Sequence, residues 1–149
     1  MQSMPVERGR DAPERQRLEA LVARLSDAEL LTPMPDGWTV AAVLAHLAFW
    51  DGRAAYLVDL WQTTGARPSE ADPDPVNNAA KPQWLALPPR IAATQAVEAA
   101  RKADSALDAA SPALLEQILA AGPPISLSRA EHRREHLDEI ERILAAQQA

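Results

Sequence analysis

Residues 128–144 read SRAEHRREHLDEIERIL and predict a long amphipathic helix. Positions 132, 136, 140, 143 and 147 recur at helical spacing, so they share one stripe that should face the core. Two of them are the aliphatic residues Ile140 and Ile143, but the first two are His132 and His136. Two imidazoles therefore occupy positions where a helical bundle is expected to place leucine.

A second helix is predicted over residues 40–63, with Thr39 as its N-cap. Its apolar positions alternate in steps of four and three, which is the pattern of a seam that faces a bundle. The seam consists of Val43, Leu47, Trp50, Ala54, Leu57 and Trp61. His46, the remaining histidine of the chain, stands one position to the side of this seam and is expected at the edge of the core.

Further stretches with helical spacing complete the set. The predicted elements are residues 12–25, a short capped turn after Ser26, residues 90–110, residues 112–119, and a last helix from Ser126 or Ser128 to about residue 147. Ser128 with Glu131 three residues later is typical of a capping box. Four long helices in one chain predict an all-α protein built as a four-helix bundle.

Between residues 65 and 89 the helical periodicity stops. Six prolines argue against a long helix there, at positions 68, 73, 75, 82, 88 and 89. In extended form this stretch is long enough to return along a helix, so the second and third long helices could run parallel. Trp84, Leu85 and Leu87 give this long Pro-rich connection an apolar anchor against the bundle.

The composition limits the class of protein. With 149 residues, the chain is expected to form a single domain, residues 1–149, with residues 1–10 as a flexible start. Cysteine is absent, which excludes disulfides, thiolate metal ligands and a cysteine nucleophile. The 21 acidic and 15 basic residues give a net charge of −6, which disfavours nucleic acid as a partner. No segment resembles a secretion signal or a membrane span, so we expect no membrane partner and a soluble cytoplasmic protein.

The three histidines could form a metal site. Imidazoles at positions i and i+4 of a helix point the same way and suit a shared metal ion, here through His132 and His136. A third imidazole from a neighbouring helix, His46, would leave a coordination position for water or substrate. If the two helices are antiparallel, a stagger must bring the three side chains level. Two alternatives stay open: the pair lies on a solvated face beside residues 133–135, or the imidazoles form a hydrogen-bonded core cluster without metal.

Charged residues near the histidines are candidates for supporting roles. Glu135 and Glu139 each follow a histidine by three positions, so they could contact an imidazole N–H or act as a general base if they face the open position. Asp51 follows the histidine of the second helix by five positions and could support it in the same way. Arg53 and Arg129 could hold an anionic substrate near the metal. Each of these side chains also has a simpler interpretation, as part of a solvated face.

Three short motifs resemble the DinB/YfiT-like superfamily, which includes the N-terminal domains of mycothiol-dependent maleylpyruvate isomerases. They are GWTVAAVLAHL at residues 37–47, the Asn-containing DPVNNA at residues 74–79, and HRREHL at residues 132–137, followed by Ile140. In order and spacing, the resemblance covers nearly the whole chain.

The resemblance implies a four-helix bundle of up-down-down-up order, often dimeric, with a divalent metal such as zinc or nickel on three histidines. Carried over to this sequence, the metal ligands are His46, His132 and His136. In the isomerase branch the first ligand on the fourth helix looks to be glutamate, whereas this chain has His132. The resemblance therefore favours the broader metal-binding branch over maleylpyruvate isomerase itself.

Two functions from different classes follow. The first is a metal-dependent enzyme that lowers the pKa of a thiol or water, because members of the resembling family use mycothiol, bacillithiol or glutathione for transfer and isomerisation. Without a cysteine of its own, the chain would need an external thiol, or would act as a hydrolase. The second is a non-catalytic module that binds a metal or small ligand, or a stress-response scaffold. An enzyme should have a cavity that reaches solvent at the histidines and is lined by residues 65–89.

Overall fold

The computed structural model describes residues 8–122 and 124–148, and within this part of the chain every regular element is helical. Of the expected flexible start, residues 1–7 lie outside the described residues. The helices are α1 Asp11–Arg24, α2 Asp27–Leu30, α3 Val40–Thr64, α4 Pro73–Ala86, α5 Pro89–Ala109, α6 Pro112–Ala120 and α7 Ala130–Gln147. The predicted all-α class is confirmed, and α1, α3, α5 and α6 begin and end within two residues of their predicted bounds.

The prediction that residues 65–89 contain no long helix is wrong, because α4 forms 14 residues of this connection. Pro73 and Pro75 lie in its first turn, where a backbone N–H would have no partner within the helix, so these prolines cost little. Only Pro82 lies in the helix interior. Of the predicted apolar anchor, Trp84 is buried in the core and Leu87 packs against it, but Leu85 is exposed.

The start of α7 differs from its prediction. The capping box of Ser128 and Glu131 is not formed, because the Ser128 hydroxyl donates to Oδ1 of Asp11 instead. The same carboxylate oxygen accepts the backbone N–H groups of Arg129 and Ala130, each at 3.0 Å. A side chain from α1 therefore caps α7, which is favourable at a helix N-terminus.

The local signals at the other helix starts are present in the structure. The Thr39 side chain accepts the N–H of Ala42 and caps α3, as predicted. Ser26 and Glu29 form a reciprocal capping box at α2, where the sequence predicts a short capped turn.

The core consists of two clusters that both involve α3 and α5. Residues from the first half of α3 pack with Ala92, Ala93 and Ala96 of α5, together with residues of α1 and α7. Residues from the second half of α3 pack with Leu107 near the end of α5, with α6, and with Leu127. The alanines of α5 allow its backbone to approach α3 closely. No helix in the described residues is long and apolar enough to cross a membrane.

Candidate metal centre

Three histidines from two helices meet beside the core. His46 lies in the second turn of α3, and His132 and His136 lie in the first two turns of α7. Asp51, further along α3, accepts a hydrogen bond from Arg129, the residue immediately before α7. The start of α7 therefore lies beside the middle of α3, and this stagger brings the three histidines level.

The three imidazole rings form a compact triangle. Nε2 of His46 lies 3.1 Å from Nε2 of His132. Ring centroids are 5.0 Å apart for that pair and 4.8 Å apart for each pair that includes His136. One ring nitrogen from each histidine lies within 4.8 Å of the others. Nitrogens that share a tetrahedral zinc ion are about 3.3 Å apart, given bonds of about 2.0–2.1 Å. The distance between His46 and His132 matches this spacing, and the three histidines together could hold a metal ion.

Burial keeps these imidazoles neutral at pH 7. Desolvation, with a smaller contribution from the charge of His136, lowers the pKa of His46 to about 4. Desolvation, followed by the charges of His136 and His46, lowers the pKa of His132 to about 3. Burial also lowers the pKa of His136, and the carboxylates of Glu135 and Glu139 oppose that shift. Neutral imidazole is the form that binds a metal, so the donor set fits a divalent metal ion.

Aromatic side chains surround His46, which is 8% exposed. Its ring centroid lies 6.0 Å from that of Trp38 and 5.6 Å from that of Trp84, with the rings edge to face. Its Nδ1 lies 3.1 Å from Oδ1 of Asn77. Trp84 and Asn77 both belong to α4, so the helix that the sequence did not predict supplies two neighbours of this histidine.

A cavity of about 600 Å³ lies beside the histidines. Asp36 and Glu135 are exposed residues of its lining, so the cavity reaches the protein surface. Pro73 and Asn77 also line it, which means that the connection between α3 and α5 forms part of the wall, as expected for an enzyme. The apolar part of the wall includes Met34, Trp38, Val43 and Trp50.

Two of the predicted catalytic candidates line this cavity and one does not. Glu135 and Glu139 lie in the wall beside His136, with Glu135 exposed and Glu139 half-buried. Arg53 instead donates hydrogen bonds to the backbone carbonyls of Ser69 and Pro124 and lines a smaller, adjoining cavity. Its guanidinium joins two loops to α3 and is not placed with the histidines.

A network of buried charges lies next to the histidines and was not predicted. Arg133 is 1% exposed and donates hydrogen bonds to the carboxylates of Asp51 and Asp104. Arg129 contacts Asp51 at 2.7 Å, and Arg15 contacts Asp104 at 2.6 Å. The network joins α1, α3, α5 and α7. Asp51 therefore pairs with arginines, and the interpretation that it supports His46 is not borne out by its contacts.

The buried stripe of α7 differs from the predicted one, and only Ile140 belongs to both. Its buried residues are Ala130, Arg133, Leu137, Ile140 and Leu144. These positions also alternate in steps of three and four, so the sequence contains the helical pattern of this stripe. An arginine at one of the positions argues against burial, because arginine is rarely buried. His132 and His136 are half-buried beside the stripe and face the cavity. The alternative of a solvated face beside residues 133–135 does not fit, because Arg133 is buried and the histidines face His46.

Comparison with known proteins gives a match to one family model. A comparison with curated proteins gives no significant match, and a comparison with solved structures gives none either. The family model described as the DinB superfamily matches residues 13–146, which span all seven helices except the ends of α1 and α7. The chain therefore belongs to the DinB superfamily.

Proposed function

We propose that this protein is an enzyme that holds one divalent metal ion, zinc or nickel, through His46, His132 and His136. The observation that carries the proposal is the position of the three neutral imidazoles in the wall of a cavity that reaches the surface. A site with only a structural role is usually closed by a fourth protein ligand, whereas a catalytic site keeps a position open. Among the described residues, these three histidines are the only group of at least three histidine, aspartate or glutamate side chains close enough to share an ion.

The proposed reaction uses a low-molecular-weight thiol or water as the nucleophile, in transfer, isomerisation or hydrolysis. When bound, a divalent metal lowers the pKa of a thiol or water in its open position. The chain contains no cysteine, so any thiol must come from outside. Glu135 and Glu139 line the same cavity and would accept the proton that the nucleophile releases.

We also propose that the four long helices follow the order up-down-down-up. Contacts between helix ends support this order: Arg8, before α1, bonds to Asp108 at the end of α5, whereas Arg90 at the start of α5 bonds to the carbonyl of Leu25 after α1. The first half of α3 packs on the first half of α5. The Pro-rich connection would then carry the chain back along the bundle. A single domain over residues 1–149 and a homodimer remain predictions, and the mass of the particle in solution would test the homodimer.

The test compares metal-free protein with protein reloaded with zinc or nickel. Each form is assayed with mycothiol, bacillithiol or glutathione and a panel of electrophiles and maleyl compounds, and with ester and amide substrates for hydrolysis. His132→Ala removes a proposed ligand, and Arg134→Ala is the matched control, because Arg134 is exposed on the same helix. We expect turnover in the reloaded wild type and in Arg134→Ala only. Turnover that persists without metal or in His132→Ala would contradict the proposal.

The non-catalytic module remains the second candidate. Its distinguishing result is a protein that binds metal through the same histidines and shows no turnover with any of these substrates. The open cavity, partly lined by α4, favours the enzyme, because a module without chemistry has no need to expose its metal to solvent.

A further inference from the structure

Asn77 of α4 and Trp50 of α3 form a short hydrogen-bonded chain that ends on His46. Oδ1 of Asn77 lies 2.8 Å from the indole Nε1 of Trp50 and 3.1 Å from Nδ1 of His46. All three side chains lie in the wall of the cavity. One amide oxygen therefore faces two ring nitrogens, and the question is which of the three atoms donates.

The hydrogen-bonding capacity of the indole determines which atoms donate. An indole N–H can only donate, so the amide atom that faces Trp50 must be the oxygen. An amide oxygen can only accept, so Nδ1 of His46 must carry its proton. A neutral imidazole has a single N–H, which leaves Nε2 of His46 unprotonated. That nitrogen lies 3.1 Å from Nε2 of His132, on the side where the three histidines meet.

We infer that Asn77, oriented by the Trp50 indole, is a positioning residue that holds His46 in the tautomer with Nδ1 protonated and thereby presents Nε2 as a metal ligand. The inference rests on the proposed metal site and assigns a role to α4. Partners of this kind fix the ring and the tautomer of a metal-binding histidine, and their loss typically weakens metal binding by about 10- to 100-fold.

The environment of His46 leaves few other groups to set its tautomer. The ring is 8% exposed, so water has little access to it. The rings of Trp38 and Trp84 contact it edge to face. Without the Asn77 oxygen, Nδ1 would be a buried donor with no acceptor, and moving the proton to Nε2 would avoid this cost. The proton would then occupy the nitrogen that the metal needs.

Four variants test the inference. Asn77→Leu removes the acceptor, and Asn77→Asp keeps an oxygen acceptor for both ring nitrogens. Trp50→Phe keeps an aromatic ring but removes the N–H that orients the amide. Asn78→Ala is the matched control, because Asn78 is the adjacent, exposed residue of the same helix. Far-UV circular dichroism checks that each variant is folded.

The first readout is the tautomer of His46 in metal-free protein at pH 7, measured from the ¹⁵N shifts of the ring nitrogens. The chain has only three histidines, so single substitutions assign each ring. We expect the Nδ1-protonated form in the wild type, Asn78→Ala and Asn77→Asp, and a shift toward the Nε2-protonated form in Asn77→Leu. Trp50→Phe should give a mixture of the two forms. An Nδ1-protonated His46 in Asn77→Leu would overturn the inference.

The second readout is zinc affinity, from competition with a chromophoric chelator. We expect Asn77→Leu to bind zinc about 10- to 100-fold more weakly than the wild type. Asn77→Asp and Asn78→Ala should remain within about threefold of the wild type. Unchanged affinity in Asn77→Leu, with zinc bound by the wild type, would overturn the role of Asn77 while the metal site stands. A wild type that binds no zinc would refute the proposed function instead, and the tautomer measurement would still decide the orientation of His46.

Discussion

Two clusters of titratable side chains lie side by side between α3 and α7, and their contacts differ. In the buried charge network, Arg133 faces the carboxylates of Asp51 and Asp104, so each charge has an opposite charge within hydrogen-bond distance. In the histidine cluster, His46 and His132 face each other at 3.1 Å, and among the described residues no carboxylate forms an ion pair with either.

The difference suggests separate roles for neighbouring side chains of α7: the charge network stabilises the fold, and the histidine cluster is suited to metal binding. The charge network is complete without any further partner and joins four helices. The histidine cluster has neutral nitrogens that face one another and a cavity, which is an arrangement that a bound metal cation would complete. We therefore expect changes in the two clusters to act in opposite ways on stability and on metal binding.

The largest expected effect is the loss of stability in Arg133→Leu. This change leaves Asp51 and Asp104 buried with fewer positive partners, and breaking a buried ion pair typically costs about 3–5 kcal/mol. Urea unfolding of metal-free protein measures the free energy of unfolding. Arg134→Leu is the control, and as an exposed substitution it should stay within about 0.5 kcal/mol of the wild type. A loss below about 1 kcal/mol in Arg133→Leu would show that the network does not hold the helices together.

The second largest expected effect is on the loss of stability at acidic pH. The pKa of His132 in the folded protein is lowered to about 3, whereas an exposed histidine in the unfolded chain titrates near its ordinary value. As the pH falls below about 6.5, the unfolded chain takes up a proton that the folded protein does not, so the free energy of unfolding decreases. His132→Leu removes this contribution. Between pH 7 and pH 5, the metal-free variant should lose about 1–2 kcal/mol less stability than the wild type.

Equal losses in the two proteins would show that His132 is not held neutral by the fold. The buried charge network is the same in both proteins, so its contribution cancels in the comparison.

The smallest expected effect is the change in stability of His132→Leu at pH 7. Replacing a desolvated imidazole with an apolar side chain removes no ion pair, so metal-free stability should be unchanged or higher by up to about 1 kcal/mol. Thermal unfolding in the presence of a chelator measures it. A loss above about 2 kcal/mol would mean that the histidines hold the bundle together, as in a core cluster without metal.

The sequence predicts most of the helices because their signals are local. The Thr39 cap and the apolar seam of α3 both lie within a few positions of the structure that they determine. The number of prolines in residues 65–89 argues against α4, but two of them lie in its first turn, where proline is compatible with a helix. The sequence nevertheless predicts that Trp84 of this helix packs against the bundle, and it is buried there.

The sequence predicts the three histidines of the candidate site but not the side chains around them. The i and i+4 spacing of His132 and His136, together with the family resemblance, was enough to bring in His46 from another helix. The partners of Arg133 lie 29 and 82 positions away in the sequence, so no local pattern could reveal its burial. The contact of His46 with Asn77 depends on the docking of α4, which the sequence did not predict.

The histidine cluster is proposed to bind a metal ion, and metal content tests this claim most directly. The protein is purified without added metal and without a histidine tag and is analysed for all transition metals, beside a His132→Ala/His136→Ala variant prepared in the same way. We expect about one equivalent of zinc or nickel in the wild type and none in the variant. A wild type that contains no metal and takes none up on titration would contradict the claim.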